Sequence, residues 1–220
     1  MNGPAWNPVD TLTDDQRERL GAFEEQLLRF NRRVNLISPE TESEFWTRHL
    51  LHCLTLIAHD FPDGCTIVDW GTGGGLPAVP LAICVPEATV VGIDSVGKKS
   101  RAVRTIARRL GLDNCFTWNG RAETWTGEAH YSVARATAPL ATLWRWHRRV
   151  AVEWEGGLGD DEWAPGLLAL KGGDLSDEIA DLRREAPDAE VERLSLESLL
   201  GRNGFFGAKE IVTVRDAGNA

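Results

Sequence analysis

The stretch IVDWGTGGGLPAVPLAI (67–83) sets four glycines and two prolines between two apolar runs. A β-rich run, a glycine turn and a second apolar run of helical length read as strand, turn and helix. Glycine at 71, 73, 74 and 75 leaves the turn with a single Cβ, that of Thr72. Such a turn is either only tight, or is built so that something can approach the backbone closely. In a doubly wound sheet ligands bind beyond the carboxyl ends of the strands, where a helix N-terminus offers free amides.

Outward from this turn the same alternation repeats. CTIVDW (65–70), ATVVGID (88–94), CFTW (115–118), YSVARA (131–136) and GLLALK (166–171) are short β-rich runs. Helical stretches over 76–85, 96–110, 139–154 and 175–185 separate or follow them. Alternating strand and helix implies parallel strands with crossover helices. EVERLSL (190–196) and KEIVTVR (209–215) then follow one another without a helix, as an antiparallel hairpin would. Ahead of the sheet, Thr13-Asp14-Asp15-Gln16 is a capping box, and Leu20, Phe23, Leu27 and Phe30 fall at helical spacing up to about residue 34. A second helix is predicted over 43–58. The pattern resembles the Rossmann-like class I S-adenosylmethionine-dependent methyltransferase fold: an α/β, mostly parallel seven-stranded sheet closed by an antiparallel hairpin. The expected division is a helical extension at 1–62, the sheet domain at 63–216 and a tail at 217–220.

The glycine spacing is G-x-G-x-G, and Leu76 fills the place where a dinucleotide fingerprint has its third glycine. Asp69, two residues before the first glycine, is suited to accept a bond from an amino group, as on a methionine-like tail. Asp94 ends the second strand about 20 residues later, where an acid can pair with both ribose hydroxyls. Asn119-Gly120-Arg121-Ala122-Glu123 forms a polar loop placed to flank an adenine, and Arg135 ends the fourth strand on the same side. A glycine-rich turn followed by a strand-end acid would account for the first of these features without any ligand.

Composition sets the bounds. With 220 residues and 42% hydrophobic content the chain can bury a core of ordinary size. No run reaches about 18 apolar residues, and the first fifteen residues lack a signal pattern, so a soluble cytoplasmic monomer is expected. Cys53, Cys65, Cys84 and Cys115 lie in apolar runs without metal-ligand spacing and read as buried thiols, with no metal expected. The net charge of −9 is unfavourable for nucleic acid, since phosphate contacts need cations. By residue count, however, the first half carries −2 and the second −7. A basic face on the first half stays available.

Several segments together resemble the RsmG (GidB) family, bacterial methyltransferases acting on a guanine N7 of 16S ribosomal RNA. They are FNRRVNLIS (30–38), TRHLLHCL (47–54), GTGGGLPAVPLAI (71–83), GIDSVGKKSRAV (92–103), RAET (121–124), ARATAPL (134–140) and LLALKG (167–172). The resemblance spans roughly 25–175. It implies S-adenosyl-L-methionine as cofactor, with contacts at Gly71, Leu76, Ala122, Glu123 and Arg135; Asp69, Gly73, Gly75 and Asp94 follow from the strand-end geometry above. It implies 16S ribosomal RNA, or a small-subunit assembly intermediate, as partner. Asn35, Arg48, His49, Lys98, Lys99 and Lys171 are the RNA-binding candidates. For His49 a satisfied core group is the rival reading, and for Arg108 and Arg109 a solvated helix face. Departures from the family pattern are Ile37, His52-Cys53, Gly74 and a final strand GAKEIVTVR without its usual Arg-His-Leu. Guanine N7 has a lone pair and no proton to lose, so a general base has nothing to abstract and no catalytic residue is assigned. A small-molecule methyltransferase of the same fold and a non-catalytic cofactor-binding partner are the alternative readings.

Overall fold

The computed structural model describes residues 6–201 and 204–217. Residues 218–220 of the expected tail, and residues 1–5 of the expected extension, lie outside this range.

The N-terminal capping box forms as read. Gln16 N donates to Thr13 Oγ1 at 3.2 Å and Thr13 N donates to Gln16 Oε1 at 2.9 Å. These bonds start α2 (Asp14–Val34), which follows a short unexpected helix, α1 (Pro8–Thr11). Helix α2 ends at Asn35, whose φ of 52° is left-handed and whose amide returns to Asn31 O at 3.3 Å. Leu20, Phe23 and Leu27 form its buried stripe.

The helix expected over 43–58 is composite: a 3-10 segment Pro39–Glu44, a π turn Trp46–Leu50, α3 (Leu51–Leu54) and a second 3-10 segment Thr55–Ala58. The reason lies in its surroundings. Every residue from His49 to Leu56 is buried, so this segment packs on all sides rather than along one stripe, and changes in winding let consecutive side chains find different partners.

The remaining helices are α4 (Ala78–Cys84), α5 (Gly97–Arg109), α6 (Leu140–Val150), α7 (Ser176–Glu185) and α8 (Leu196–Leu200). The seven strands are β1 (Thr66–Trp70), β2 (Thr89–Asp94), β3 (Cys115–Asn119), β4 (Tyr131–Arg135), β5 (Gly166–Gly172), β6 (Ala189–Ser195) and β7 (Lys209–Asp216). They form one sheet in the order β3-β2-β1-β4-β5-β7-β6. β1 to β5 pair in parallel, while β7 runs antiparallel to both β5 and β6. The strand order reverses between β1 and β4, so ligands are expected at the carboxyl ends there.

The two faces of β1 alternate as the pleat demands. Ile67 packs with α2, α4 and α5 on one face; Val68 and Trp70 pack with α6 and α7 on the other. The closing hairpin departs from expectation: α8 and a 3-10 turn (Gly204–Phe206) lie between β6 and β7. Ser195 Oγ accepts from Ser198 N at 3.3 Å, an N-cap that stops β6 before Leu196. No helix of the described residues is long and apolar enough to cross a membrane.

Candidate active site

Strand ends β1, β2 and β3 meet at Asp94. Its carboxylate accepts from Gly73 N at 3.0 Å and from Val96 N at 2.7 Å. Its carbonyl accepts from Asn119 Nδ2 at 2.9 Å, Gly120 N at 3.1 Å and Ser100 Oγ at 3.2 Å. One residue therefore pins the glycine loop, the start of α5 and the end of β3. A carboxylate has about four lone-pair positions, so acceptor capacity remains on the side facing the crevice.

That crevice has a volume of about 330 Å³. Gly71, Asp94, Lys99, Ala122, Glu123 and Trp146 are among its lining residues. It offers two acids, Asp94 at the end of β2 and Glu123 after β3, with an indole, the chemistry that a nucleoside with a free ribose requires. The indole of Trp146 is braced from below by Trp70, with ring centroids 5.8 Å apart.

The glycines serve the protein first. At Gly71 (φ +74°) a Cβ would overlap the side chain of Thr137, which crosses over to donate to Trp70 O at 2.8 Å. At Gly75 (φ +84°) a Cβ would lie 2.7 Å from Val79 Cγ2. Gly73, by contrast, has nothing nearer than the Gly71 carbonyl at 3.8 Å. Gly75 N and Leu76 N both donate to Thr72 O, at 2.8 and 3.0 Å, and Leu76 is buried. Gly73, Gly75 and Leu76 thus lie off the crevice lining and shape the loop.

Asp69 is also beneath the loop and not in the crevice. It is fully buried, and its Oδ2 accepts from Ala78 N at 3.1 Å, which anchors the first turn of α4. Its Oδ1 and the Thr72 hydroxyl, both buried, have no full hydrogen-bond partner among the described residues. Burial pushes the carboxyl up to about 7, against the weaker opposing pull of Thr72, the Ala78 amide and Arg135.

Beyond β4 a second cavity, of about 560 Å³, adjoins the first. Three consecutive residues link the two: Arg135 and Ala136 line the second cavity and Thr137 the first. Ala136 has φ of 53°, a left-handed conformation rare for a residue with a Cβ and often found at functional sites. Arg48, His49 and Lys171 open into the second cavity with Arg135.

His49 links the N-terminal segment to the sheet. Arg135 Nη1 lies 3.1 Å from His49 Nδ1, and Thr41 Oγ1 lies 2.7 Å from Nε2. Arg135 can only donate, so Nδ1 accepts. Thr41 spends its hydroxyl proton on Ser38 O at 2.8 Å, so Nε2 carries the imidazole proton. Burial, with Arg135 and Arg48 nearby, lowers this histidine to about 4. His49 is neutral, with its basic nitrogen already occupied.

Lys171 is similarly engaged. Its Nζ donates to Ala138 O and to Glu178 Oε2, both at 2.7 Å, and the same Glu178 oxygen accepts from Leu140 N at 2.9 Å. Lys171 and Glu178 together fix the start of α6. Lys99 lines the crevice, whereas Lys98 is solvent-exposed and off its lining. Asn35 is exposed and caps α2. Arg109 lies over Phe30 and donates to Gln26 Oε1 at 2.6 Å, so its role is to join α5 to α2.

Four groups went unnoticed in the sequence. Asn31, buried, accepts from Leu36 N and Ile37 N at 2.6 and 2.9 Å and so shapes the loop after α2. Trp146 and Thr137 wall the crevice, and Glu178 holds Lys171. Asn31 alone had a visible signal, a polar residue on the buried side of α2. The four cysteines are free, and burial raises each thiol to about 12. Trp125 is buried edge-on to Trp70, with ring centroids 5.6 Å apart, as core.

Comparison with known proteins agrees with this architecture. The chain shares 76% identity over 215 residues with the ribosomal RNA small subunit methyltransferase G of Salinibacter ruber, covering 98% of this chain and 100% of the relative. It shares 40% identity over 174 residues with the protein of the same name from Christiangramia forsetii, covering 78% and 80%. Among solved structures, the Synechocystis magnesium protoporphyrin IX methyltransferase with bound S-adenosylmethionine superposes with a TM-score of 0.61 at 14% identity, over 94% of this chain and 99% of that one. The Aeropyrum pernix fibrillarin structure, with natively bound S-adenosyl-L-methionine, gives 0.52 at 15% identity, over 70% and 67%. At such identities these two support the fold alone. The GidB family, rRNA small subunit methyltransferase G, matches residues 16–204, wider than the stretch the motifs had marked. The chain belongs to the GidB family of rRNA small subunit methyltransferases.

Proposed function

We propose that this chain transfers a methyl group from S-adenosyl-L-methionine to N7 of a guanine in small-subunit ribosomal RNA. The observation that carries this reading is the pair of adjoining cavities, one with the acid and indole a nucleoside needs, the other rich in cations. Consecutive residues border both, Arg135 and Ala136 the cationic cavity and Thr137 the other.

The residues present fit the cofactor. Asp94 would take the ribose hydroxyls with its remaining lone pairs; Ala122, Glu123 and Trp146 would enclose the base; Gly71 lets the strand end lie flush with it. Arg135, two residues before the crevice-lining Thr137, would take the carboxylate of the methionine tail. Asp69, Gly73, Gly75 and Leu76 act one layer down, holding the loop in shape. When bound, S-adenosylmethionine supplies an electrophilic methyl group on a cationic sulfur.

What the protein adds is orientation. A guanine N7 lone pair needs no deprotonation, and the site is consistent with this. His49 is neutral with Nδ1 bonded to Arg135, and Glu178 is bonded to Lys171 and the Leu140 amide. Neither is free to act as a base. Holding nucleophile and methyl carbon near contact distance can contribute several kcal/mol, about 7–11 at best. Residues 1–62 would act as an extension presenting the RNA side, with Arg48 and His49 as its contribution, and the protein would work as a cytoplasmic monomer.

The test is methyl transfer to small-subunit ribosomal RNA lacking this modification, with the product mapped for N7-methylguanine. No modified guanine, in either naked RNA or assembled subunits, would overturn the reading. Transfer to a small acceptor alone would favour the small-molecule alternative.

A further inference from the structure

The cationic cavity holds more charge than the family motifs account for. Lys209, at the start of β7, and Phe205, in the turn before it, line it together with Arg48. Lys209 belongs to the final strand that departs from the family pattern, and Phe205 lies just before it. Lys209 Nζ lies 4.4 Å from the centroid of the Phe205 ring, and the Arg48 guanidinium carbon lies 5.4 Å from the same centroid. One aromatic ring therefore fixes two cations from distant parts of the chain by cation–π attraction.

These charges are poorly neutralised. Arg48 pairs with Glu44 at 2.9 Å, but among the described residues no carboxylate pairs with Lys209 or Arg135. Burial first, and then the neighbouring Arg135 and Arg48, lower the Lys209 pKa, as for a cation partly withdrawn from water beside like charges. His52 adds an independent sign. It is 4% exposed, lines the same cavity, and its Nε2 has no partner among the described residues. A buried polar atom left unpaired costs free energy unless a ligand completes it. Lys209 Nζ is further confined beside Gly172, where even a Cβ would come within 3.3 Å of it. The ammonium is thus held at the cavity wall rather than free in solvent.

We propose that Lys209 and Arg48, positioned by Phe205, bind a backbone phosphate of the RNA next to the target guanine, with His52 available to the same nucleotide. This rests on the reading above and assigns its RNA contact. A phosphodiester supplies the missing negative charge, and its attachment in the cavity beyond β4 would fix the register of the base.

The test measures affinity for a small-subunit ribosomal RNA fragment across a salt series, with cofactor affinity by calorimetry as the control. Each single-strand phosphate contact adds about 0.7 to the slope of log affinity against log salt. Lys209→Ala should lower that slope by about this amount and weaken RNA binding several-fold at low salt, while cofactor affinity holds. Lys209→Arg should restore the slope. Phe205→Ala should weaken RNA binding in the same direction, because both cations lose their support. A parent protein with a steep slope and a Lys209→Ala variant with the same slope would overturn the assignment and leave the RNA methyltransferase reading standing. A parent with no salt-sensitive RNA binding would overturn both.

Discussion

Gly73 N donates to Asp94 Oδ2 at 3.0 Å, a bond that ties the glycine loop after β1 to the end of β2. The same carboxylate holds Val96 N at 2.7 Å through its other oxygen. Asp94 is therefore a structural clasp as well as a candidate ribose acceptor, and the two roles use different lone pairs of one group.

Substitution separates those roles. Asp94→Asn keeps one acceptor oxygen for the loop but loses the charge and half the acceptor capacity. Hydrogen bonds to a charged group contribute about 1.5–3 kcal/mol, so affinity for S-adenosylmethionine and S-adenosylhomocysteine should fall about 10- to 100-fold. Calorimetric titration of both ligands checks this. Unchanged affinity in a folded Asp94→Asn protein would exclude Asp94 as a cofactor contact.

Gly71 carries two constraints at once, a φ of +74° and the Thr137 side chain against its α-carbon. Gly71→Ala should lose about 2–4 kcal/mol of stability, from the left-handed penalty of about 1–2 kcal/mol plus displacement of Thr137. Gly73→Ala meets only the first constraint, so the loss should be about half as large. Denaturant unfolding of both variants provides the comparison, and equal losses would show that the Thr137 contact contributes nothing.

These glycines illustrate what the chain discloses without its structure. The strand–helix alternation was legible because parallel strands and crossover helices have different periods, and all five parallel strands appear where those periods change. Asp94 at a strand end was legible for the same reason. Asp69 was not: a strand's alternation places it on a face but does not say that Ala78 will cover it. The winding around 49–56 was hidden because those residues are all buried, which erases the single-stripe signal. The short helix α8 was hidden because Ser195 caps it within an otherwise β-like run. Lys209 and Phe205 meet Arg48 from opposite ends of the chain, and no spacing in a sequence records that.

Glu178 holds Lys171 Nζ at 2.7 Å and caps the Leu140 amide at 2.9 Å. The Lys171 side chain is 10% exposed, so removing its partner leaves a nearly buried charge. Glu178→Ala should cost about 2–4 kcal/mol, somewhat below the range for fully buried pairs because Glu178 itself is 33% exposed. Lys171→Met in the Glu178→Ala background should recover part of that loss, since no unpaired charge remains. Chemical denaturation of the single and double variants gives the coupling. Additive losses would mean that the pair does not interact.

Asp69 and the buried histidines should tilt stability in opposite directions with pH. The Asp69 carboxyl is raised by burial from its ordinary range to about 7, so between roughly 4 and 7 the folded state holds a proton that the unfolded state has released. Its contribution to stability is therefore greatest below the unfolded value and declines as pH rises through 7. His147, buried beside Ser132 at 2.9 Å, is lowered to about 4, and burial also lowers His52 well below its ordinary value. In the window from about 6.5 down to 4 the unfolded state takes up protons that these imidazoles refuse, so their contribution is lost as pH falls. Asp69→Asn removes only the first slope. Asn can still accept from Ala78 N through its amide oxygen and can offer an N–H to the unpartnered Thr72 hydroxyl. The variant should thus match or exceed the parent's stability at pH 8 and lose stability more steeply than the parent on acidification from 7 to 4. Denaturant midpoints at half-unit pH intervals decide the matter: a variant whose profile runs parallel to the parent's across that window would mean Asp69 is ionised at neutral pH despite its burial.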